Sequence, residues 1–464
     1  MLTNVLGQVV SAQLERRLQK LAGDLGIPFC VVHPDGSQKP YGQGPEQFRV
    51  VLRTARAQKA LSRFDALSVA EAYMDGEMTI EGDLFAAMRY QEYLGDQHPL
   101  IRLTSRLEPI LVGRERANPR WIQLHYDAGN AQLFATDADY HTYTPGHYSS
   151  DSDSLEGGAE HKLSEAFQFL RLKAGDCLLE VGCGWGGMLR YAARRGVRVT
   201  CITLSQRQKE FCEALCRNEG LDAQVLYQDF FTYQPAERYD GISLMGVMED
   251  LSDYRRVMRR LTAWIKPGGR VYFDFAAQRE RFGTHSFVTT YIWPGTFRMV
   301  FMPEFVEAVR ESPFELQEVL NDRRNYHLWM RKVSERWMAR REVVIHEHGE
   351  RIYRMFLLLW ASIAINMDRP SHSATAYRVV LELPQDSDHR YWTRPSVRIA
   401  DSVRGSAAAV REQVLRIVSK ARGQISKRSW VRASSGVGPT AQFSTDLQPP
   451  GAPRSEGAPA ASSD

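Results

Sequence analysis

With 464 residues, a formal net charge of +4, 43% hydrophobic and 25% charged residues, the chain has the balance of a soluble globular protein with about two or three domains. So small a net charge implies no nucleic-acid partner. Six cysteines (Cys30, Cys177, Cys183, Cys201, Cys212, Cys216) without a CxxC pair or a Cys/His zinc spacing read as packed, reduced thiols of a cytoplasmic protein.

The opening MLTNVLGQVVSAQLERRLQK mixes acids and bases among its apolar residues and lacks the layout of a signal peptide. Residues 1–115 read as a mainly helical, lipid- or substrate-associated domain. One hairpin is expected at FCVVHPDGSQKPYG, turned by Pro34-Asp35-Gly36. LSVAEAYMDGEMTIEGDLFAAMRYQEYL carries helix-period apolar positions, broken at Asp75-Gly76 and Gly82. Polar GRERANPRW, at 113–121, marks the boundary to a second domain over 116–395.

From about residue 160 short apolar runs alternate with amphipathic segments. CLLEVG (177–182), VRVTCITL (197–204), AQVLYQD (223–229), YDGISLMG (239–246) and RVYFDFA (270–276) predict a parallel sheet covered on both faces. WIKPGGRVYF reads as a helix end, a Pro-Gly-Gly turn and a strand start. His346 and His348 in VIHEHGE lack a second ligand cluster, so no metal is expected. MFLLLWASIAINM (355–367) is too short to span a bilayer and reads as a core helix.

Residues 396–464 form a third region. In 402–432, Val410, Val414, Ile417, Val418, Ala421 and Ile425 fall at helical spacing, and eight Lys/Arg face one acid, Glu412. This predicts an amphipathic helix that docks on anionic lipid. The last 32 residues, rich in Pro, Ser, Gly and Ala, are expected to be disordered.

LLEVGCGWGGMLRYAARRG (178–196) carries a ligand-binding turn: Gly182, Cys183 and Gly184 between a strand and a helix let a ligand approach the backbone. A Gly-x-Gly turn alone admits dinucleotides, flavins and S-adenosylmethionine. Glu180 suits a cationic methionyl ammonium and would repel a pyrophosphate. The second strand ends in Thr203-Leu204-Ser205-Gln206-Arg207-Gln208, without the acid that usually holds ribose hydroxyls. Asp229 ends a strand, placed either to accept from an adenine amino group or to cap a helix.

VGCGWGG, TLSQRQ, QDF, MGVMEDL and YIWPG, with EAYMDGEMTIEGDL and HYDAGN (125–130) before them, resemble the cyclopropane-fatty-acyl-phospholipid synthases and mycolic acid methyltransferases over residues 40–390. The resemblance implies an α/β fold: a doubly wound, mostly parallel, seven-stranded Rossmann-like sheet preceded by the N-terminal, mainly helical domain. It implies S-adenosylmethionine as cofactor, held by Tyr143, Thr144, Gly182, Cys183, Gly184, the segment Thr203–Gln208, Asp229 and Phe230, and bicarbonate as a second small ligand. The implied reaction is methyl or methylene transfer to the double bond of an unsaturated phospholipid acyl chain. The implied partners are those acyl chains and the inner face of the cell membrane, with a homodimer also compatible.

Such a reaction must hold an alkene in line with the methyl, exclude water and remove a proton. The family's glutamate and tyrosine fall at Glu249 and Tyr326. Its histidine position holds Asp274, and its cysteine position, in YTPGHYS, holds Pro145. Asp274 sits between Phe273 and Phe275, where an unpaired carboxylate is costly. It is therefore expected either to couple with Glu249 as a base, or to cap a turn or pair with an arginine. Tyr143, Tyr148, Trp293 and Phe273 are candidates for an acyl tunnel, while His125 is expected to order its own loop. Two alternatives stay open: C-methylation of another lipid or electron-rich carbon, and a cofactor- or lipid-binding protein without chemistry.

Overall fold

The computed structural model describes residues 2–95, 140, 142–251, 253–280, 286–292, 299–370 and 372–385. The segment 113–121, the HYDAGN motif with His125, Trp293, and the third region with its basic segment 402–432 lie outside these described residues.

The N-terminal region runs α1 (Leu2–Leu25), β1 (Phe29–Val32), β2 (Gln38–Tyr41), β3 (Phe48–Leu52), α2 (Ala55–Arg63), α3 (Ala66–Met74), β4 (Met78–Gly82) and α4 (Leu84–Met88). The expected hairpin is present as the antiparallel β1–β2 pair, closed by Gly36 N–H to His33 O at 2.9 Å. The expectation of one hairpin among helices is corrected, because these strands form a four-stranded sheet, β2-β1-β3-β4. Met78 and Ile80 alternate with Thr79 and Glu81, a period of two hidden between helical flanks. Antiparallel pairing with β3 selects the strand. Thr54, Asp65 and Asp83 cap α2, α3 and α4 with their side-chain oxygens.

The larger sheet follows α5 (Leu155–Phe169). Its elements are β5 (Cys177–Val181), α6 (Gly187–Ala193), β6 (Arg198–Thr203), α7 (Gln206–Glu219), β7 (Ala223–Tyr227), β8 (Tyr239–Met245), α8 (Tyr254–Trp264) and β9 (Ile265–Gln278). Then come β10 (Val300–Phe301), α9 (Met302–Arg310), β11 (Glu315–Asn321), α10 (Arg323–Ala339), α11 (Arg341–His348), α12 (Glu350–Asp368) and β12 (Ala374–Glu382). The strand order is β11-β12-β9-β8-β5-β6-β7, with two-residue β10 beside β9 as an eighth strand.

Strands β7, β6, β5, β8 and β9 are mutually parallel, whereas β12 runs antiparallel between β9 and β11. The chain leaves β5 toward β6 and β7, then returns to the other side through β8. That switch of direction opens a crevice at the strand ends. Strand β9 begins directly after α8, so Pro267-Gly268-Gly269 is part of the strand rather than a separate turn.

Helix α12 contains MFLLLWASIAINM as a buried core helix. Trp360 and Trp337 are fully buried and meet edge-to-face at 4.9 Å. Each large apolar side chain buried here contributes about 1.5–3 kcal/mol. Among the described residues, no helix is long and apolar enough to cross a membrane.

Candidate active site

The glycine turn joins β5 to α6. Gly182 (φ +74°) and Gly184 (φ +50°) adopt left-handed backbone conformations. A Cβ on Gly182 would strike Val247 Cγ2 at 2.5 Å, whereas one on Gly184 would enter open space. The first glycine therefore permits packing against the β8 loop, and the second leaves room for a ligand against the backbone. Two residues earlier, Glu180 is buried and accepts a weak bond from the Cys201 thiol at 3.4 Å. Burial pushes its carboxyl well above the usual range. A cation bound beside it would restore the ionised form.

Beyond β6, TLSQRQ locks itself. Thr203 Oγ1 donates to Gln208 Oε1 at 3.0 Å and accepts from Ser205 N–H at 3.1 Å. Ser205 caps α7 by accepting from Gln208 N–H at 3.3 Å. Thr203, Leu204, Ser205 and Gln208 line the crevice. Gln206 and Arg207, expected with them, open the helix behind the Ser205 cap and fall outside the lining; Gln206 bonds Glu210 at 2.8 Å. Asp229 and Phe230 line the crevice too. Asp229 Oδ1 accepts from Phe231 N–H at 2.7 Å, a local cap, leaving its other oxygen for a ligand.

These residues form one end of a cavity of ≈ 1150 Å³. Pockets for a single small molecule hold about 300–1,000 Å³, so this one has room for a cofactor and part of a second ligand. Its other end is apolar, assembled from α3, β4 and α4 on one side and α12 on the other. Val69, Tyr73 and Ile80 on the first side and Leu359, Ile363 and Met367 on α12 are among its lining residues. Arg354 fastens the two walls by donating to the carbonyls of Tyr73 and Met78, each at 3.2 Å. Tyr143 and Thr144 also line the cavity, with Tyr143 edge-on to Trp329 at 6.0 Å. Of the other tunnel candidates, Tyr148 packs against Gly158 and Phe273 packs on Phe305 at 5.4 Å, both away from the cavity.

Glu249 and Tyr326 both line the cavity. Glu249 Oε1 accepts from Ala276 N–H at 2.7 Å, while the buried Oε2 has no protein partner among the described residues. Burial raises this carboxyl to about 8, opposed by the Ala276 N–H, with small contributions from Asp250 and Asp274. Asp250, also on the wall, is raised to about 7 by burial. Its position beside Glu249 was visible in MGVMED, but only the fold turns both carboxyls inward.

Asp274 is corrected. It stands next to Met245 in the β8–β9 register, yet its carboxylate lies outside the cavity lining and pairs with Lys162 at 2.5 Å, both side chains fully buried. Lys162 also bonds Thr144 Oγ1, and Asp274 O accepts from Gly246 N–H at 2.7 Å. The pair therefore braces two stretches of cavity wall. The partner is a lysine on α5, seven intervening elements before β9, which no local pattern marks. Nearby, Arg378 joins Glu165 at 2.5 Å and Asp322 at 3.1 Å, and Asp322 O accepts Tyr326 N–H at 3.0 Å. Pro145 is buried outside the lining. His346 and His348 end α11, and among the described residues no group of three His, Cys, Asp or Glu is placed to hold a metal.

A glycine turn at the switch point of a parallel sheet, with an acid before it and a two-ended cavity in front, defines a class I S-adenosylmethionine-dependent methyltransferase. The sequence model of the family described as mycolic acid cyclopropane synthetase matches residues 114–368, and the chain belongs to that family. A family described only as a domain of unknown function matches residues 18–91. The chain is 28% identical over 346 residues to a probable fatty acid methyltransferase of Mycobacterium tuberculosis, spanning 65% of this chain and 80% of that protein. It is 26% identical over 335 residues to the cyclopropane-fatty-acyl-phospholipid synthase of Escherichia coli, spanning 68% and 82%. A solved mycolic acid cyclopropane synthase complexed with S-adenosylhomocysteine and CTAB has the same fold (TM-score 0.52, 20% identity, 57% of this chain and 99% of that one). The protein is thus an S-adenosylmethionine-dependent methyltransferase of the lipid-modifying kind.

Proposed function

We propose that the protein transfers a methyl carbon to the double bond of an unsaturated acyl chain of a membrane phospholipid, giving a cyclopropane or methyl-branched chain. The observation that carries this reading is one cavity lined both by the glycine turn and by apolar side chains of α3, β4 and α12, with Glu249, one of whose oxygens is unpartnered, in its wall. S-adenosylmethionine, when bound, supplies an electrophilic methyl group on a sulfonium. Gly182, Cys183 and Gly184 would hold its methionyl part with Glu180 toward the ammonium. Thr203, Leu204, Ser205, Gln208, Asp229 and Phe230 would hold its nucleoside.

The apolar walls orient the alkene and exclude water that would trap a carbocation. Glu249, ionised above about pH 8, takes the proton whose loss ends the reaction; loss from the added carbon closes a ring, and loss from a neighbouring chain carbon leaves a branch. Tyr143 and Tyr326 offer π faces to the cation. The bicarbonate set implied by the resemblance is incomplete: Glu249 and Tyr326 face the cavity, but Asp274 is locked to Lys162 and Pro145 is buried elsewhere. Proton removal is therefore assigned to Glu249 directly. The same two departures favour the branched product as the second reading.

The test is incubation with S-adenosylmethionine and vesicles of monounsaturated phospholipid. A gain of about 14 mass units per chain, one CH₂, is expected, and proton NMR then separates ring from branch. No mass gain on any unsaturated phospholipid, with S-adenosylhomocysteine still bound, would sink the substrate assignment. The basic segment 402–432 is proposed to bring the enzyme to the membrane surface, each Lys or Arg contributing about 1 kcal/mol near anionic lipid. Truncation at residue 401 should abolish salt-sensitive co-sedimentation with anionic vesicles; unchanged co-sedimentation would remove the idea.

A further inference from the structure

We propose that Cys183 and Cys212 form an oxidisable dithiol behind the glycine turn, which a small hydroperoxide converts to a disulfide and which bound cofactor shields. Their sulfurs are 3.9 Å apart. Cys183 stands in the turn itself among the residues that line the cavity, but it is buried, so hydrogen peroxide has to enter from the cofactor side through motion of the turn. Cys212 is fully buried in α7, and its sulfur also meets Gly184 O at 3.5 Å. Gly186 lets α7 come this close, since a Cβ there would sit 3.2 Å from Cys212 Sγ.

Cys201 is the competing partner, but it belongs to β6, hydrogen-bonded between β5 and β7, and its thiol reaches Glu180. Drawing that sulfur toward Cys183 would distort a central strand. Moving Cys212 requires only a shift at the start of a turn and the flank of a helix. Hydrogen bonds from the Cys201 and Cys212 thiols hold the Cys183 thiol below its usual range, which favours the attacking thiolate.

In the reaction the Cys183 thiolate attacks one peroxide oxygen, the O–O bond breaks, and a sulfenic acid and the first water form. Cys212 sulfur then attacks the sulfenyl sulfur; the S–O bond breaks, the Cys212 proton leaves with the oxygen as a second water, and the S–S bond forms. Two thiols lose two electrons and two protons, and one peroxide becomes two waters. Closing 3.9 Å to the ~2.05 Å of a disulfide pulls Cys183 toward α7 and displaces Gly184, where the ligand meets the backbone. The oxidised turn should bind cofactor poorly.

The full-length protein, reduced and then treated with hydrogen peroxide, is digested under non-reducing conditions with and without saturating S-adenosylhomocysteine. The expected result is a Cys183–Cys212 linked peptide two hydrogens lighter than its reduced parts, suppressed by S-adenosylhomocysteine. Calorimetry should show a loss of S-adenosylhomocysteine affinity after oxidation that dithiothreitol reverses. In Cys212→Ser, or Cys212→Ala should the serine misfold, Cys183 should stop at a sulfenic acid that dimedone traps. Linkage of Cys183 to Cys201, equal yield with and without S-adenosylhomocysteine, or no linked peptide from protein that binds S-adenosylhomocysteine would each overturn the proposal.

Discussion

The two ends of the cavity are built differently. The glycine-turn end comes from short motifs at the ends of adjacent strands, Gly182–Gly184, Thr203–Ser205 with Gln208, and Asp229–Phe230, closed by local hydrogen bonds that include Gly186 N–H to Cys183 O. The apolar end comes from residues such as Val69 and Ile363, far apart in the chain and joined only when α12 packs against α3 and α4. The first end can be altered residue by residue with a local effect. The second depends on two regions staying together, and Arg354, Tyr291 to Glu71 at 2.7 Å, and Gln91 to Ser362 at 3.1 Å hold them.

The largest effect should come from Gly184→Val, which places branched carbons in the ligand's space at a left-handed position. Calorimetry should show S-adenosylhomocysteine binding abolished, and the parent protein should bind no NAD. Retained binding would break the assignment of the cofactor end.

In the cavity wall, Glu249→Gln should lower turnover by about 10²–10⁴-fold, the range of a lost general base, with S-adenosylhomocysteine affinity nearly unchanged. Asp274→Asn should behave otherwise. It leaves Lys162 buried without its counter-charge, at a cost of about 3–5 kcal/mol, visible as a lowered thermal midpoint and a weakened hold on Thr144. Replacing both as Lys162→Met with Asp274→Leu should recover much of that stability. A stable Asp274→Asn with lost turnover would return Asp274 to catalysis.

Ile363→Trp should fill the apolar end. Turnover on phospholipid vesicles should fall severalfold while S-adenosylhomocysteine affinity stays at the parent value; a parallel loss of both would show that the ends are not separable.

The smallest effect concerns pH. Glu249 holds its proton to about pH 8 when folded, against an ordinary value of 4.5, so the folded chain binds a proton that the unfolded chain has released. The stability this confers is full below about pH 4.5 and is lost as pH rises toward 8. The thermal midpoint of the ligand-free protein should decline across that window, and Glu249→Gln should lessen the decline, with Asp250 and Glu180, also raised by burial, contributing the rest. Turnover should run the opposite way, rising with pH to a plateau above about 8 as the base ionises. Cationic S-adenosylmethionine should stabilise more than neutral-sulfur S-adenosylhomocysteine at the alkaline end of the window.

Much of the large sheet is legible in the sequence because its central strands are buried on both faces, and runs such as CLLEV and VTCIT stand out from polar surroundings. The cofactor residues are legible for the same local reason, since a glycine at positive φ and a Ser cap leave marks within five or six residues. Strand β4 is not legible, because its alternation is short and lies between two helices of similar composition. Asp274 is legible as an unusual buried acid, but its partner is not, because Lys162 lies more than a hundred residues earlier on a helix with no special pattern.

By itself, then, the order of residues determined the parallel sheet and the glycine turn, since these depend on backbone conformation and burial that neighbouring residues set, and the resemblance of its motifs to a known family pointed to the cofactor. Tertiary structure decided which carboxyls meet the cavity, which one is held by a buried lysine, and that an N-terminal sheet completes the apolar wall. Those outcomes depend on charges and surfaces brought together across hundreds of residues, and a pairing energy at 2.5 Å has no counterpart in the spacing of the chain.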